Sequence, residues 1–140
     1  MDNLSDDRTL LIKNKIDELS KVPSFLEELI REWGLTDAIL FNLNLAIEEA
    51  LSNTILYGYN DSNDHFIELS IKIENRQITV IIEDDAVEFD PTTLNDPEIF
   101  QPAEKRTVGG LGVFLIKKLM DNVKYKRVDK KNILTLTKFF

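Results

Sequence analysis

The chain contains no cysteine, which excludes thiol catalysis, zinc-thiolate sites and disulfides. Basic charge is also short: 17 Lys and Arg stand against 25 Asp and Glu, for a net charge of −8. Nucleic acid and anionic membrane both demand a basic surface, so neither is the expected partner; a small ligand or another protein is. No apolar run approaches the length of a membrane span, and the start "MDNLSDD" lacks the basic and apolar regions of a signal peptide. The cytoplasm is the expected compartment. Repeats and low-complexity linkers are missing too, and 140 residues suit one domain, spanning 1–140. At 43% hydrophobic and 30% charged, the composition is that of an ordinary globular protein.

What is present alternates in period. Thr9 to Ile16, "TLLIKNKI", mixes β-branched residues with a partial period of two and predicts a strand near a sheet edge. From about Ser20 to Trp33, Val22, Phe25, Leu26, Leu29, Ile30 and Trp33 recur at helical spacing, with Gly34 placed to end the helix. Thr36 can cap a second, longer helix that runs to Gly58 and buries Leu43, Ala46, Ile47, Ala50 and Thr54. "FIELSIKIEN" points Ile67, Leu69, Ile71 and Ile73 to one side, and "QITVIIED" follows a tight Asn75-Arg76 turn, which predicts a hairpin. Leu111 to Met120 reads as a third helix, and "VKYKRV" and "ILTLTKFF" as a closing hairpin around "DKKN". Strands from both ends of this β-α-α-β-β-α-β-β order must share a sheet with three amphipathic helices on one face. The fold class is α+β, a two-layer α/β sandwich.

Three features carry chemistry. Glu49 and Asn53, four residues apart, project from the same face of the long helix, and Tyr57 continues the row. A carboxylate there can accept a proton or orient a nucleophile, and an amide oxygen suits Mg²⁺. Taken alone, the pair reads more plainly as a solvated polar face. Asp84 ends the strand "ITVIIED", where a carboxylate can accept a hydrogen bond from an exocyclic amine such as that of adenine, or simply make a turn. The segment "GGLG", Gly109 to Gly112, opens the third helix; it suits either a tight turn or an anion site built from free N–H groups and the helix dipole. Lys105 and Arg106 precede it and can add positive charge. His65, the only histidine, is expected as an exposed turn residue, Trp33 as core or a dimer contact, and Lys117 and Lys118 as a solvated helix face.

In this order the three features resemble the GHKL superfamily of ATP-binding domains, the Bergerat fold, over nearly the whole chain. More narrowly the chain looks like the bacterial anti-sigma-factor serine kinases, the switch-protein kinases of partner-switching systems. "NLNLAIEEALSNTILYGY" matches the N box, "EDDAVEFDP" the adenine box and "VGGLGVFLIKKLMD" the glycine-rich second box. The resemblance implies a mixed, mostly antiparallel sheet, and ATP and Mg²⁺ as cofactors. It implies Asn53 as Mg²⁺ ligand, Glu49 as general base toward a target hydroxyl, and Asp84 as acceptor for the adenine amino group. The cofactor-binding set it suggests includes Asn53, Asp84, Ala86, Phe89, Lys105, Arg106, Gly109, Gly110, Leu111 and Gly112. The stretch from Phe89 to Val108 would be a lid joining the base-binding and phosphate-binding ends. One departure stands out: the superfamily's adenine box usually has Gly two residues after its Asp, where this chain has Ala86, and a methyl group there is expected to reshape the adenine site.

The expected function is transfer of the γ-phosphoryl of ATP to serine or threonine on an anti-sigma-factor antagonist, a small STAS-type acceptor protein. A sigma factor is a second implied partner, and association through the first strand and helix, as a homodimer or with a partner protein, is implied as well. The alternative is a nucleotide-gated binding module without turnover. A catalytic piece of a sensor histidine kinase is disfavoured, since no dimerisation helix pair precedes the first strand.

Overall fold

The computed structural model describes residues 5–93 and 110–140. Among these residues five strands form one sheet in the order β1-β2-β3-β5-β4. They are β1 (Ser5–Lys13), β2 (Phe66–Glu74), β3 (Gln77–Asp84), β4 (Asn122–Val128) and β5 (Lys131–Phe139), with α1 (Lys21–Glu32), α2 (Asp37–Tyr57) and α3 (Gly110–Leu119) between them. The element order is the one the periodicity predicts. Among the described residues all four strand pairings are antiparallel, so the parallel component that a mixed sheet would carry is not found there.

Local chemistry sets the boundaries. Asn75 and Arg76 both take positive φ (52° and 62°), as do Asp129 and Lys130 (51° and 65°), giving the two-residue hairpin turns whose twist matches the flanking strands. Gly34, at φ 67°, ends α1: its N–H donates to the Arg31 carbonyl, and that of Leu35 reaches back to Ile30. This is a Schellman motif, in which only glycine adopts the left-handed residue without penalty. Thr36 caps α2, its Oγ1 accepting from the Ile39 N–H at 3.3 Å.

Both boundaries of β1 move, and β5 begins at Lys131, inside the expected "DKKN" turn. β1 begins at Ser5, four residues earlier than the apolar pattern suggests, and ends at Lys13 rather than Ile16. The polar start is held by tertiary contacts: Asp6 Oδ2 accepts from the Trp33 indole N–H at 2.9 Å, and Arg8 pairs with Asp6 and with Glu32 of α1. Ile16–Ser20 forms a 3₁₀ turn that leads into α1.

The core lies between sheet and helices. Ile67, Leu69, Ile71 and Ile73 of β2, Ile78, Val80 and Ile82 of β3 and Leu136 of β5 are buried against Leu26, Leu29, Leu43, Ile47, Leu51 and Ile116 of the helices. Each such side chain contributes roughly 1.5–3 kcal/mol on burial. Trp33 joins this core, as expected, at 7% exposure. Packing α2 and α3 on one face brings the far end of α2, the end of β3 and the start of α3 together.

Candidate nucleotide site

At that junction lies a pocket of about 250 Å³. Its floor and walls are apolar, from Ala50, Ile82, Val113, Ile116 and Leu134; Asn53, Thr54, Asp84 and Asn132 bring polar groups to it, and Ala86, Val87 and Phe89 border it from the loop after β3. An apolar slot with a few placed polar groups is the usual form of a small-molecule site. Thr54, expected in the buried stripe of α2, is only half-buried and lines this pocket, its hydroxyl bonded back to the Ala50 carbonyl at 3.2 Å.

The structure brings Glu49, Asn53 and Gly112 together. A Cβ built on Gly112 would lie 2.7 Å from Glu49 Oε2 and 3.2 Å from Asn53 Nδ2. The first turn of α3 therefore approaches the Glu-x-x-x-Asn face as closely as a backbone without a side chain can. Gly110 opens α3 and Leu111 follows it. Lys105, Arg106, Gly109 and most of the Phe89–Val108 stretch lie outside the described residues. Glu49 is half-buried and stands beside the pocket rather than in its lining.

Asp84 is 6% exposed. Its Oδ1 accepts from the Ala86 N–H at 3.0 Å and from the Asn132 amide at 2.8 Å. Burial pushes its pKa up; these two hydrogen bonds and the Arg127 charge pull it back, while Asp85 adds to the upward push. Both bonds fall on Oδ1, so among the described residues Oδ2 is the acceptor left for a ligand in the pocket.

Ala86 proves accommodated. It is absent from the residues with positive φ, so the backbone there does not require glycine. Its methyl group is seated against Gly58: a Cβ on Gly58 would come within 2.7 Å of Ala86 Cβ, and the Val87 N–H donates to the Gly58 carbonyl at 2.9 Å. The missing side chain at position 58 makes the room that the added one at 86 takes.

Sequence reading passed over Tyr125, Arg127 and Asn132. Asp84, Asn132 and Arg127 face one another across three adjacent strands in register. The signal was available: Asn132 shares the inward parity of Leu134 and Leu136, and a polar residue at such a position is a buried group that needs partners. His65 also differs from expectation. Its side chain is only 19% exposed, Nδ1 lies 2.9 Å from Asp85 Oδ2, Nε2 lies 2.8 Å from Asp61 Oδ1, and the ring stacks on Tyr59. Lys118 is exposed as expected and lies over the Phe114 ring.

The pocket's chemistry suits an adenine nucleotide: a buried acceptor at Asp84, an apolar slot, and the first turn of α3 beside it, where Gly112 lies against Glu49 and Asn53. Mg²⁺ needs no cage of protein carboxylates, because it keeps waters and bridges phosphates; Asn53, which lines the pocket, carries an amide oxygen of the kind it accepts.

Known proteins share this chain's sequence pattern and fold. Residues 12–138 match the model of the histidine kinase-like ATPase domain. The serine/threonine-protein kinase BtrW of Bordetella bronchiseptica is 30% identical over 97 residues, 69% of this chain and 68% of that protein. The serine-protein kinase RsbW of Listeria monocytogenes is 28% identical over 128 residues, covering 89% of this chain and 82% of the relative. The anti-sigma F factor of Clostridium novyi is 24% identical over 89 residues, 64% of this chain and 62% of that one. In fold, the crystal structure of the RsbU and RsbW domains of a Mycobacterium tuberculosis protein superposes with a TM-score of 0.68 at 15% identity, covering 96% of this chain and 32% of the larger one. The chain belongs to the histidine kinase-like ATPase family, in the branch of the RsbW-type serine kinases.

Proposed function

We propose that this protein is an ATP-dependent serine/threonine kinase that phosphorylates an anti-sigma-factor antagonist of STAS type and, in the alternate state of a partner switch, holds a sigma factor. The observation that carries the reading is the meeting of Glu49, Asn53 and Gly112 beside a pocket that ends on Asp84. Mg·ATP, when bound, supplies the transferable phosphoryl group and neutralises the charge that develops on it.

The chain's own residues then divide the work. Asp84 accepts from the exocyclic amine of the base, and the apolar slot excludes water from it. Gly110 and Gly112 keep the first turn of α3 bare, so that its N–H groups and the positive end of its dipole face phosphate oxygens. Asn53 offers its amide oxygen to the metal. Glu49, one turn earlier on α2, accepts or orients the proton of the target hydroxyl; a general base of this kind contributes about 10²- to 10⁴-fold. We take residues 1–140 to act as one domain and β1 with α1 as the self-association surface, since an edge strand left bare invites pairing.

Calorimetric titration of the protein at about 100 μM with Mg·ADP tests the nucleotide reading, because that concentration detects micromolar to sub-millimolar sites. Saturable heat with Mg·ADP, weakened in Asn53→Ala, is expected. A folded protein giving no heat with any adenine nucleotide would refute it.

A further inference from the structure

The row Asp84–Asn132–Arg127 that crosses β3, β5 and β4 has a fixed polarity. Arg127 can only donate hydrogen bonds, so the Asn132 atom facing its Nη1 at 2.9 Å is the carbonyl oxygen, which also accepts from the Tyr125 hydroxyl at 2.6 Å. The amide orientation follows from these two donors. Asn132 Nδ2 is thereby turned toward Asp84 Oδ1 at 2.8 Å and the Val87 carbonyl at 2.9 Å, with the Ala86 carbonyl at 3.3 Å. Arg127 Nη1 also donates to that Ala86 carbonyl at 3.2 Å. Asn132 is itself 6% exposed, and the network satisfies both ends of its amide.

Both protein donors therefore converge on Asp84 Oδ1. A carboxylate in that position presents Oδ2 to the pocket as an acceptor and reads the amino group of adenine. Protonated on Oδ2, it would become a donor and read the carbonyl oxygen that guanine carries at the same ring position. Which base fits depends on what holds Asp84 ionised in a buried place. Resting on the nucleotide-binding reading above, we propose that Asn132, oriented by Tyr125 and Arg127, is the positioning residue that keeps Asp84 a pure acceptor and so makes the pocket select adenine over guanine.

The surroundings work in opposite directions. Asp85, next in the chain, and burial both disfavour the Asp84 charge, whereas Arg127 and the Asn132 and Ala86 donors favour it. Tyr59 lies within the field of Asp84 and Asp85, and His65 engages Asp85 from the far side. Without the Asn132 amide, the balance tips toward the protonated acid.

The test is calorimetry of the full chain with Mg·ADP and Mg·GDP between pH 5 and pH 8, for the wild type, Asn132→Leu and Tyr125→Phe. The wild type is expected to prefer ADP by at least about tenfold, the worth of one buried hydrogen-bonding group. In Asn132→Leu that preference falls at least about tenfold, and ADP binding is lost at a higher pH as the solution is acidified. Tyr125→Phe removes one of the two donors that orient the amide; it moves both readouts the same way by a smaller factor, and decides the matter if Asn132→Leu fails to fold. Folded variants with the wild-type ADP-to-GDP ratio and pH profile would overturn the inference. So would an equal loss of both nucleotides with no change in pH profile, which is the mark of a merely structural role. A wild type that binds Mg·ADP and Mg·GDP alike would overturn the selectivity while leaving nucleotide binding intact; one that binds neither would overturn the nucleotide reading itself.

Discussion

Gly58 shows how one residue can hold a site's shape. A Cβ there would meet the Thr54 carbonyl oxygen at 2.5 Å and Ala86 Cβ at 2.7 Å. Neither is the end of a flexible side chain. Gly58→Ala should therefore destabilise the protein by about 1–3 kcal/mol, the usual cost of overpacking, as read from the midpoint of urea denaturation. Gly112→Ala meets instead the mobile carboxylate of Glu49, so its expected effect is on nucleotide binding with little loss of stability. His65 gives a prediction with a sign. Hydrogen bonds to Asp85 and then to Asp61 raise its pKa, while burial opposes them. A raised imidazole pKa contributes stability that is complete below the unfolded value, about 6.5, and is lost as pH rises through the folded value. The melting temperature should therefore decline as pH rises from about 6.5 through the folded value, and His65→Gln should remove the decline. A wild-type melting temperature flat across this range would exclude the protonated bridge.

The elements were largely legible in the sequence because their signals are local. The α2 stripe (Thr54 apart), the two hairpin turns and the Gly34 stop rest on periodicity and backbone preference, and each appears where those rules put it. Thr36→Ala should cost about 1 kcal/mol through loss of the α2 cap, measurable by chemical denaturation. What escaped was tertiary. The first residues of β1 are polar and are held by Trp33 and Glu32, partners that no window of sequence contains. The same holds at the site. Glu49, Asn53, Asp84 and Gly112 could be named from motif order, but not the buried row that orients Asp84, because Asn132 lies 48 positions away and meets it only once β5 pairs with β3. His65 was misjudged in part for the same reason: Asp61 lies four positions away, but Asp85 reaches it from the loop after β3.

At the scale of the whole molecule, no helix among the described residues is long and apolar enough to cross a membrane. The sheet has two edges, and they differ. β4 exposes Lys124 and Lys126, charges that resist pairing with another strand, while β1 carries the exposed Leu11. If β1 and α1 are the association surface, light scattering at high concentration should report a dimer, and Leu11→Lys should shift it toward monomer; a wild type that is strictly monomeric would remove the self-association proposal.

On this proposal, Glu49 and the nucleotide pocket make the fold a kinase rather than a passive, nucleotide-gated clamp. The direct measurement is transfer of labelled γ-phosphate from Mg·ATP to a STAS-type acceptor protein, comparing the wild type with Glu49→Gln, which keeps size and hydrogen bonding. Phosphoserine or phosphothreonine is expected on the acceptor with the wild type, and a rate lower by about 10²- to 10⁴-fold in Glu49→Gln with Mg·ADP affinity nearly unchanged. Transfer at the wild-type rate by Glu49→Gln would contradict the base assignment. A wild type that grips its partner in ATP but transfers nothing to it would contradict the kinase.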